Sequence, residues 1–197
     1  MIDVTREVLS NDCRQAALSF MSGVASGWSK ADLVEWLTGP YARAVRHASL
    51  RDRAAVVAVH TPATAASIEA LLVSARGQLL ASLEKAVLDL GTLDFTDDMV
   101  GRGLVRKTLD AEGRSAWIPV DSPRLLLRDR LRSLLAADYM NIPYDYAQLF
   151  VCHRCEAVAF DERAKRRGVC TSHILSGIVP ADGDAPLSNP YVGLIGR

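Results

Sequence analysis

Four residues in the C-terminal part have the types and spacing of a metal site: Cys152, Cys155, Cys170 and His173, within VCHRCEAVAFDERAKRRGVCTSH. The pattern is C-x2-C, fourteen intervening residues, then C-x2-H. Thiolate sulfur and imidazole nitrogen are ligands that zinc prefers, and paired ligands two residues apart fit one turn of backbone around the ion. Four protein ligands complete a tetrahedron and leave no position for water or substrate. The expected cofactor is therefore structural Zn2+ rather than a catalytic ion.

Other uses of the cysteines fit less well. A thioredoxin-like pair would open a helix, whereas the residues after Cys155 are strand-like and two more ligands wait downstream. Haem attachment requires His directly after the second cysteine, and Glu156 stands there. His153 lies between the knuckle cysteines, where so tight a loop would strain its ring, so His173 is the expected fourth ligand. Cys13 stands alone in a helix-like segment and reads as a small buried hydrophobe.

The order of elements around these ligands is informative. Leu149-Phe150-Val151 leads into a knuckle at Cys152-His153-Arg154-Cys155, Ala157-Val158-Ala159-Phe160 reads as a returning strand, and Cys170-Thr171-Ser172-His173 opens the apolar pair Ile174-Leu175. Over about 149–178 the chain resembles treble-clef zinc fingers. Such fingers hold one ligand pair on a knuckle and take the second from the first turn of a helix. The resemblance implies a zinc-bound module without naming an activity. A treble-clef nuclease would need a catalytic His in the hairpin, and Glu156 to Val169 contains none.

The elements that must carry this module read as mainly α, within an α+β class: a helical body with one β-hairpin and a small C-terminal zinc finger. The expected organisation is a helical domain over 1–148, with the hairpin near 104–120, the finger over 149–178, and a loosely ordered tail over 179–197. A first helix, from about Val4 to Val24, places Val8, Ala16, Leu18, Phe20 and Met21 in a helical pattern and ends near Gly23 and Gly27. Ser29 looks like the N-cap of Ala31 to Leu37, stopped by Gly39-Pro40. Ala54 to Val59 fits strand or helix equally.

The clearest helix is capped by Thr61 with Pro62 in its first turn. It carries Ile68, Leu71, Leu72, Ala75, Leu79, Leu80, Leu83, Val87 and Leu90 at steps of three and four, until Gly91. Gly77 inside it suggests close packing or a bend. Thr96 is the expected cap of a short helix to Gly103, with Asp97 and Asp98 in its first turn. Leu104 to Leu109 and Ser115 to Val120 read as the hairpin, turning at Asp110 to Gly113. Asp121-Ser122-Pro123 then starts a helix ended by Asn141 and Pro143; Leu125, Leu127, Leu131, Leu134 and Leu135 face inward and Arg124, Arg128, Arg130 and Arg132 mostly face solvent.

The chain has 197 residues, 49% of them hydrophobic and 23% charged, enough for a sizeable core. Its 23 Lys and Arg equal its 23 Asp and Glu, so no global field draws it to nucleic acid or membrane. The start MIDVTREVLSNDC lacks a secretory pattern, and no apolar run reaches the roughly 20 residues of a membrane span. A soluble cytoplasmic protein is expected. No glycine-rich phosphate loop, Gly-x-Ser-x-Gly elbow or His-rich metal motif is present, Asp94, Asp97 and Asp98 are explained by helix capping, and His47 and His60 lack partners, so no enzyme is expected. The expected function is a non-catalytic adaptor or regulatory module that binds another macromolecule, in first place a protein. The alternative is a DNA- or RNA-binding regulator. In order of elements 61–120 resembles a winged helix, with Arg106, Lys107 and Arg114 on the wing and Arg163, Lys165, Arg166 and Arg167 in a basic loop of the finger. Acidic Asp97 and Asp98 on the would-be recognition helix oppose it.

Overall fold

A computed structural model of the chain describes residues 5–46, 65–122 and 125–175. The Ala54–Val59 segment, the Thr61-Pro62 helix start, His47, His60, Pro123, Arg124 and the 179–197 tail lie outside the described residues. The fold is mostly helical, with one two-stranded hairpin and a second small sheet near the cysteines, as expected.

Helix α1 spans Arg6–Ala25 and is capped by Thr5, whose hydroxyl accepts the Val8 N–H at 3.3 Å. Its inward stripe is Leu9, Ser10, Cys13, Ala16, Ala17, Phe20, Met21 and Val24. Val8, expected inside, falls one residue off this stripe and is exposed. Gly23 sits against the Trp28 ring, where any Cβ would collide with the indole.

Helix α2, Lys30–Trp36, opens with the Ser29–Asp32 capping box. Gly39-Pro40 does not stop the helical path as expected. A π-helical turn, Leu37–Tyr41, runs through Pro40 into the short α3, Ala42–Ala44. The widened turn accommodates a residue that has no N–H to give, and burial of Trp36, Leu37, Tyr41 and Ala44 offsets the cost. Trp36 stacks between Phe20 and Tyr41, with ring centroids at 5.2 and 5.1 Å, and its indole N–H donates to the Ala16 carbonyl at 2.8 Å.

Helix α4, Ala65–Leu88, buries Ile68, Leu72, Ala75, Leu79, Leu80, Leu83 and Ala86. Leu90, placed on that stripe by its spacing, lies beyond the helix end and is 84% exposed. There the backbone turns left-handed at Leu90 and Gly91, and Gly91 packs on the Tyr146 carbonyl. Among the described residues nothing lies within 4 Å of where a Gly77 Cβ would stand, so none of them packs closely on it.

Thr96 does not cap the next helix. In α5, Thr96–Gly101, it is the first helical residue, and its buried hydroxyl makes no hydrogen bond. Burial of Leu93 and Phe95 sets the entry of the chain one residue early.

Strands β1, Val105–Leu109, and β2, Ser115–Pro119, form the expected antiparallel hairpin, with Lys107 opposite Trp117. Asp110 organises its turn by accepting the N–H groups of Glu112 at 3.0 Å and Arg114 at 2.8 Å. Helix α6 begins at Leu127, not at Asp121 to Pro123, and runs to Asn141. Arg130 is buried rather than solvated: it pairs with Asp121 at 2.8 Å and donates to the Ser122 carbonyl at 2.9 Å. Those contacts hold 121–122 in place of a cap. Arg132 is also partly buried, over the Phe95 ring.

Helices α1 and α6 pack together around one continuous core that also takes in α4, the Trp36 cluster, Tyr146 and Leu149. Between them lies a buried polar cluster. Asp138 accepts hydrogen bonds from Ser10, from Arg14 Nε at 2.9 Å and from Tyr146 at 2.8 Å, and Arg14 also reaches Asp145 at 2.8 Å. Asn141 exchanges two bonds of 2.8 Å with the Trp117 backbone and so ties α6 to β2. Cys13 is buried as expected, and burial together with the nearby Asp138 charge pushes its thiol up.

Candidate metal centre

A 3-10 turn over Pro143–Gln148 delivers the chain to β3, Leu149–Val151, which pairs antiparallel with β4, Val158–Phe160. The connection between the strands is the knuckle. Cys152 donates its N–H to the Ala157 carbonyl at 2.9 Å, Glu156 donates to the Cys152 carbonyl at 2.7 Å, and Glu156 takes a left-handed φ of 56°. This fold-back turns both cysteine side chains to one point.

The second pair of candidate ligands arrives through two short helices. Asp161 caps α7, Glu162–Arg167, by accepting from Arg163 N at 2.8 Å and Ala164 N at 3.2 Å, and left-handed Gly168 closes it. Cys170 then precedes α8, Thr171–Leu175, which carries His173. Phe150, Cys152 and Ala164 form a small buried cluster beneath the site, with Cys170 against it.

The four expected ligands converge. Their Sγ and imidazole nitrogen atoms all lie within 4.8 Å of one another. His173 Nδ1 is 3.4 Å from Cys152 Sγ and 3.1 Å from Cys170 Sγ, and the Cys155 and Cys170 sulfurs are 3.7 Å apart. That last distance is far beyond a disulfide bond, and all four cysteines are free. Three thiols and an imidazole aimed at a common centre form a donor set compatible with a metal ion. His153 is exposed and is not among the converging donors.

Burial pushes the Cys152 thiol up, but the backbone amides of Cys170, Arg154 and Cys155, with the Cys155 thiol, outweigh it and bring Cys152 down to about 6. Burial raises Cys155, and its neighbouring sulfurs add to that, reaching about 11 against the opposing Ala157 amide. The amide N–H groups around the Cys152 sulfur are of the kind that support a metal-bound thiolate.

The segment that carries the cluster is fastened to the helical body at several points. Leu149 belongs to the main core, Phe160 meets Tyr146 edge to face at 4.9 Å, and the Arg14 guanidinium lies 4.1 Å from the Phe160 ring centre. On α4, Arg76 pairs with Glu156 at 2.6 Å and donates to the Met21 carbonyl at 3.1 Å. A cleft of about 190 Å³ lies beside the knuckle, lined by Leu18, Met21, Ala25, Arg76, Ala157 and Val158 among others. The sequence alone did not point to Arg76 or Glu156. The available signal was an arginine flanking the buried positions Leu72, Ala75 and Leu79.

The basic residues fall on separate elements. Arg106 and Lys107 are exposed on β1, whereas Arg114 is tied to Asp110 at 3.1 Å, Glu7 at 3.3 Å and Glu112. The run Arg163 to Arg167, expected in a loop, instead forms α7, because Asp161 supplies a cap and Gly168 a stop. Within it Arg166 pairs with Glu162 at 2.5 Å, Lys165 donates to the Ala147 carbonyl at 2.6 Å, and Arg163 and Arg167 are exposed. Asp94 pairs with Lys85 and Asp98 with Arg102; among the described residues these carboxylates join no metal-ligand group. None of the described helices is long and apolar enough to cross a membrane.

Comparison with protein-family models, with curated proteins and with solved structures gave no match.

Proposed function

We propose that Cys152, Cys155, Cys170 and His173 hold one structural zinc ion in a treble-clef-type finger, and that the protein is a non-catalytic adaptor or regulatory module whose partner is another protein. The observation that carries the reading is the convergence of four soft donors. A tetrahedral site with Zn–S of about 2.3 Å and Zn–N of about 2.0 Å has S–S edges of about 3.8 Å and S–N edges of about 3.5 Å. The observed 3.7 and 3.4 Å edges lie close to these, and the 3.1 Å edge needs only a small opening. With four protein ligands the ion has no open position, and its work is to hold the knuckle and α8 together. Reduced, metal-binding thiols suit the cytoplasm.

A protein partner is supported by the cleft beside the knuckle, where Leu18, Met21, Ala25, Ala157 and Val158 offer an apolar floor with Arg76 and Glu156 as charged neighbours. The partner that fits presents an apolar side chain flanked by polar groups. The nucleic-acid alternative has less support: Arg114 and Arg166 are neutralised within the chain and Lys165 is committed to a carbonyl, while α5 presents exposed Asp97 and Asp98.

The test is capture of partners from the native host by the tagged full chain, with and without nuclease, alongside the variant Ala25→Glu at the exposed edge of the cleft. The reading predicts a protein retained after nuclease and lost with Ala25→Glu. Capture that vanishes on nuclease treatment and ignores Ala25→Glu would favour nucleic acid instead.

A further inference from the structure

We propose that Cys155 is the oxidation site of the cluster, where a peroxide converts the ligand pair Cys155 and Cys170 into a disulfide and so releases the metal. The inference rests on the zinc reading above.

The three sulfurs are not equivalent. Cys152 is fully buried beneath Phe150 and Ala164, out of reach of a dissolved oxidant. Cys155 is exposed and also lines the cleft beside the knuckle, which is roomy enough for a small peroxide at about 190 Å³. Cys170, only partly covered, is its neighbour at 3.7 Å between sulfurs. A site of three thiolates and one imidazole around a divalent ion keeps a net negative charge, which leaves its exposed sulfur nucleophilic.

The chemistry balances with the peroxide as the sole oxidant. The Cys155 sulfur attacks one peroxide oxygen, the O–O bond breaks, and hydroxide leaves and is protonated by the buffer, giving a sulfenic acid. The Cys170 thiolate then attacks that sulfur, the S–O bond breaks, and a second hydroxide leaves and is protonated. Two thiolates have lost one electron each, and the peroxide has gained two and become water. Only Cys152 and His173 remain as ligands, too few to retain the ion.

The release has a mechanical consequence next door. Glu156 follows Cys155 directly, holds a left-handed backbone and pairs with Arg76 on α4. Without the metal, the knuckle keeps only its backbone hydrogen bonds and the Arg76 pair, so the tie to the body weakens at the wall of the cleft.

The test uses the zinc-loaded full chain titrated with hydrogen peroxide. Zinc release is read with a chromogenic chelator, and free thiols are alkylated in denaturant before peptide mass mapping. The expected result is a linked peptide joining Cys155 to Cys170, zinc released in step with it, and Cys13 still reduced. A chain that binds zinc but forms its dominant disulfide through Cys152, or keeps the metal while Cys155 oxidises, overturns this inference alone. A chain that takes up no zinc overturns the metal reading and this inference together.

Discussion

Arg76 in the middle of α4 and Glu156 in the knuckle form an ion pair at 2.6 Å, and the same guanidinium donates to the Met21 carbonyl of α1 at 3.1 Å. One side chain thus joins the knuckle to both long helices. Glu156 is half exposed while Arg76 is largely covered, so the two halves of the contact differ in worth. The ion pair contributes under about 1 kcal/mol, and the sheltered bond to Met21 adds about 1 to 2 kcal/mol. Arg76→Ala is expected to lower stability by about 2 kcal/mol in urea unfolding, and Glu156→Gln by less than about 0.5 kcal/mol. Equal losses in the two variants would show that the ion pair, not the Met21 bond, does the fastening.

Gly77 offers a prediction of opposite sign. It lies inside α4, and among the described residues nothing is within 4 Å of where a Cβ would stand. Gly77→Ala is therefore expected to stabilise the protein by about 1 kcal/mol, read as a higher thermal midpoint. A destabilised variant would mean that this face of α4 is covered in solution.

Asp138 is the centre of the α1–α6 interface and is matched there by Arg14, Ser10 and Tyr146. Asp138→Asn keeps the shape but leaves Arg14 with Asp145 as its remaining carboxylate. Loss of one member of a buried pair costs about 3 kcal/mol or more. Denaturant unfolding checks this, and a change under about 1 kcal/mol would show the cluster to be well hydrated.

Asp110 sets a pH dependence. Burial raises its carboxyl, but the Arg114 amide and guanidinium and the Glu112 amide outweigh that and hold it below its usual 3.8. A depressed acid stabilises the fold above its unfolded value and loses that contribution as the pH falls through its folded value. Asp110→Asn should therefore be less stable than the parent at neutral pH, with the gap closing below about pH 4. A gap that stays constant from pH 7 to pH 3 would assign the effect to the hairpin's geometry rather than to charge.

The convergence of Cys152, Cys155, Cys170 and His173 was legible from the sequence because cysteine and histidine at fixed spacing have few other uses, and the hairpin because its turn carries Asp110 and Gly113. Local rules failed where tertiary burial overrode them. Gly39-Pro40 predicts a stop, yet the Trp36–Tyr41 contact carries the helical path through it. Periodicity predicts a solvated Arg130, yet it is buried against Asp121, a partner that helical periodicity cannot reveal. Residue type predicts a cap at Thr96, yet the burial of Phe95 turns its hydroxyl inward. The Arg76–Glu156 tie spans 80 residues of sequence and had no local signal at all.

On the proposed reading, the four converging side chains hold zinc and the ion keeps the finger folded. Elemental analysis of the purified full chain, followed by thermal unfolding with and without a strong chelator, tests it most directly. About one zinc per chain is expected, with a clear loss of stability on chelation, since binding of structural zinc contributes folding free energy of about 10 kcal/mol or more in isolated fingers. Zinc well below one per chain, together with an unfolding transition that the chelator leaves unchanged, would contradict it.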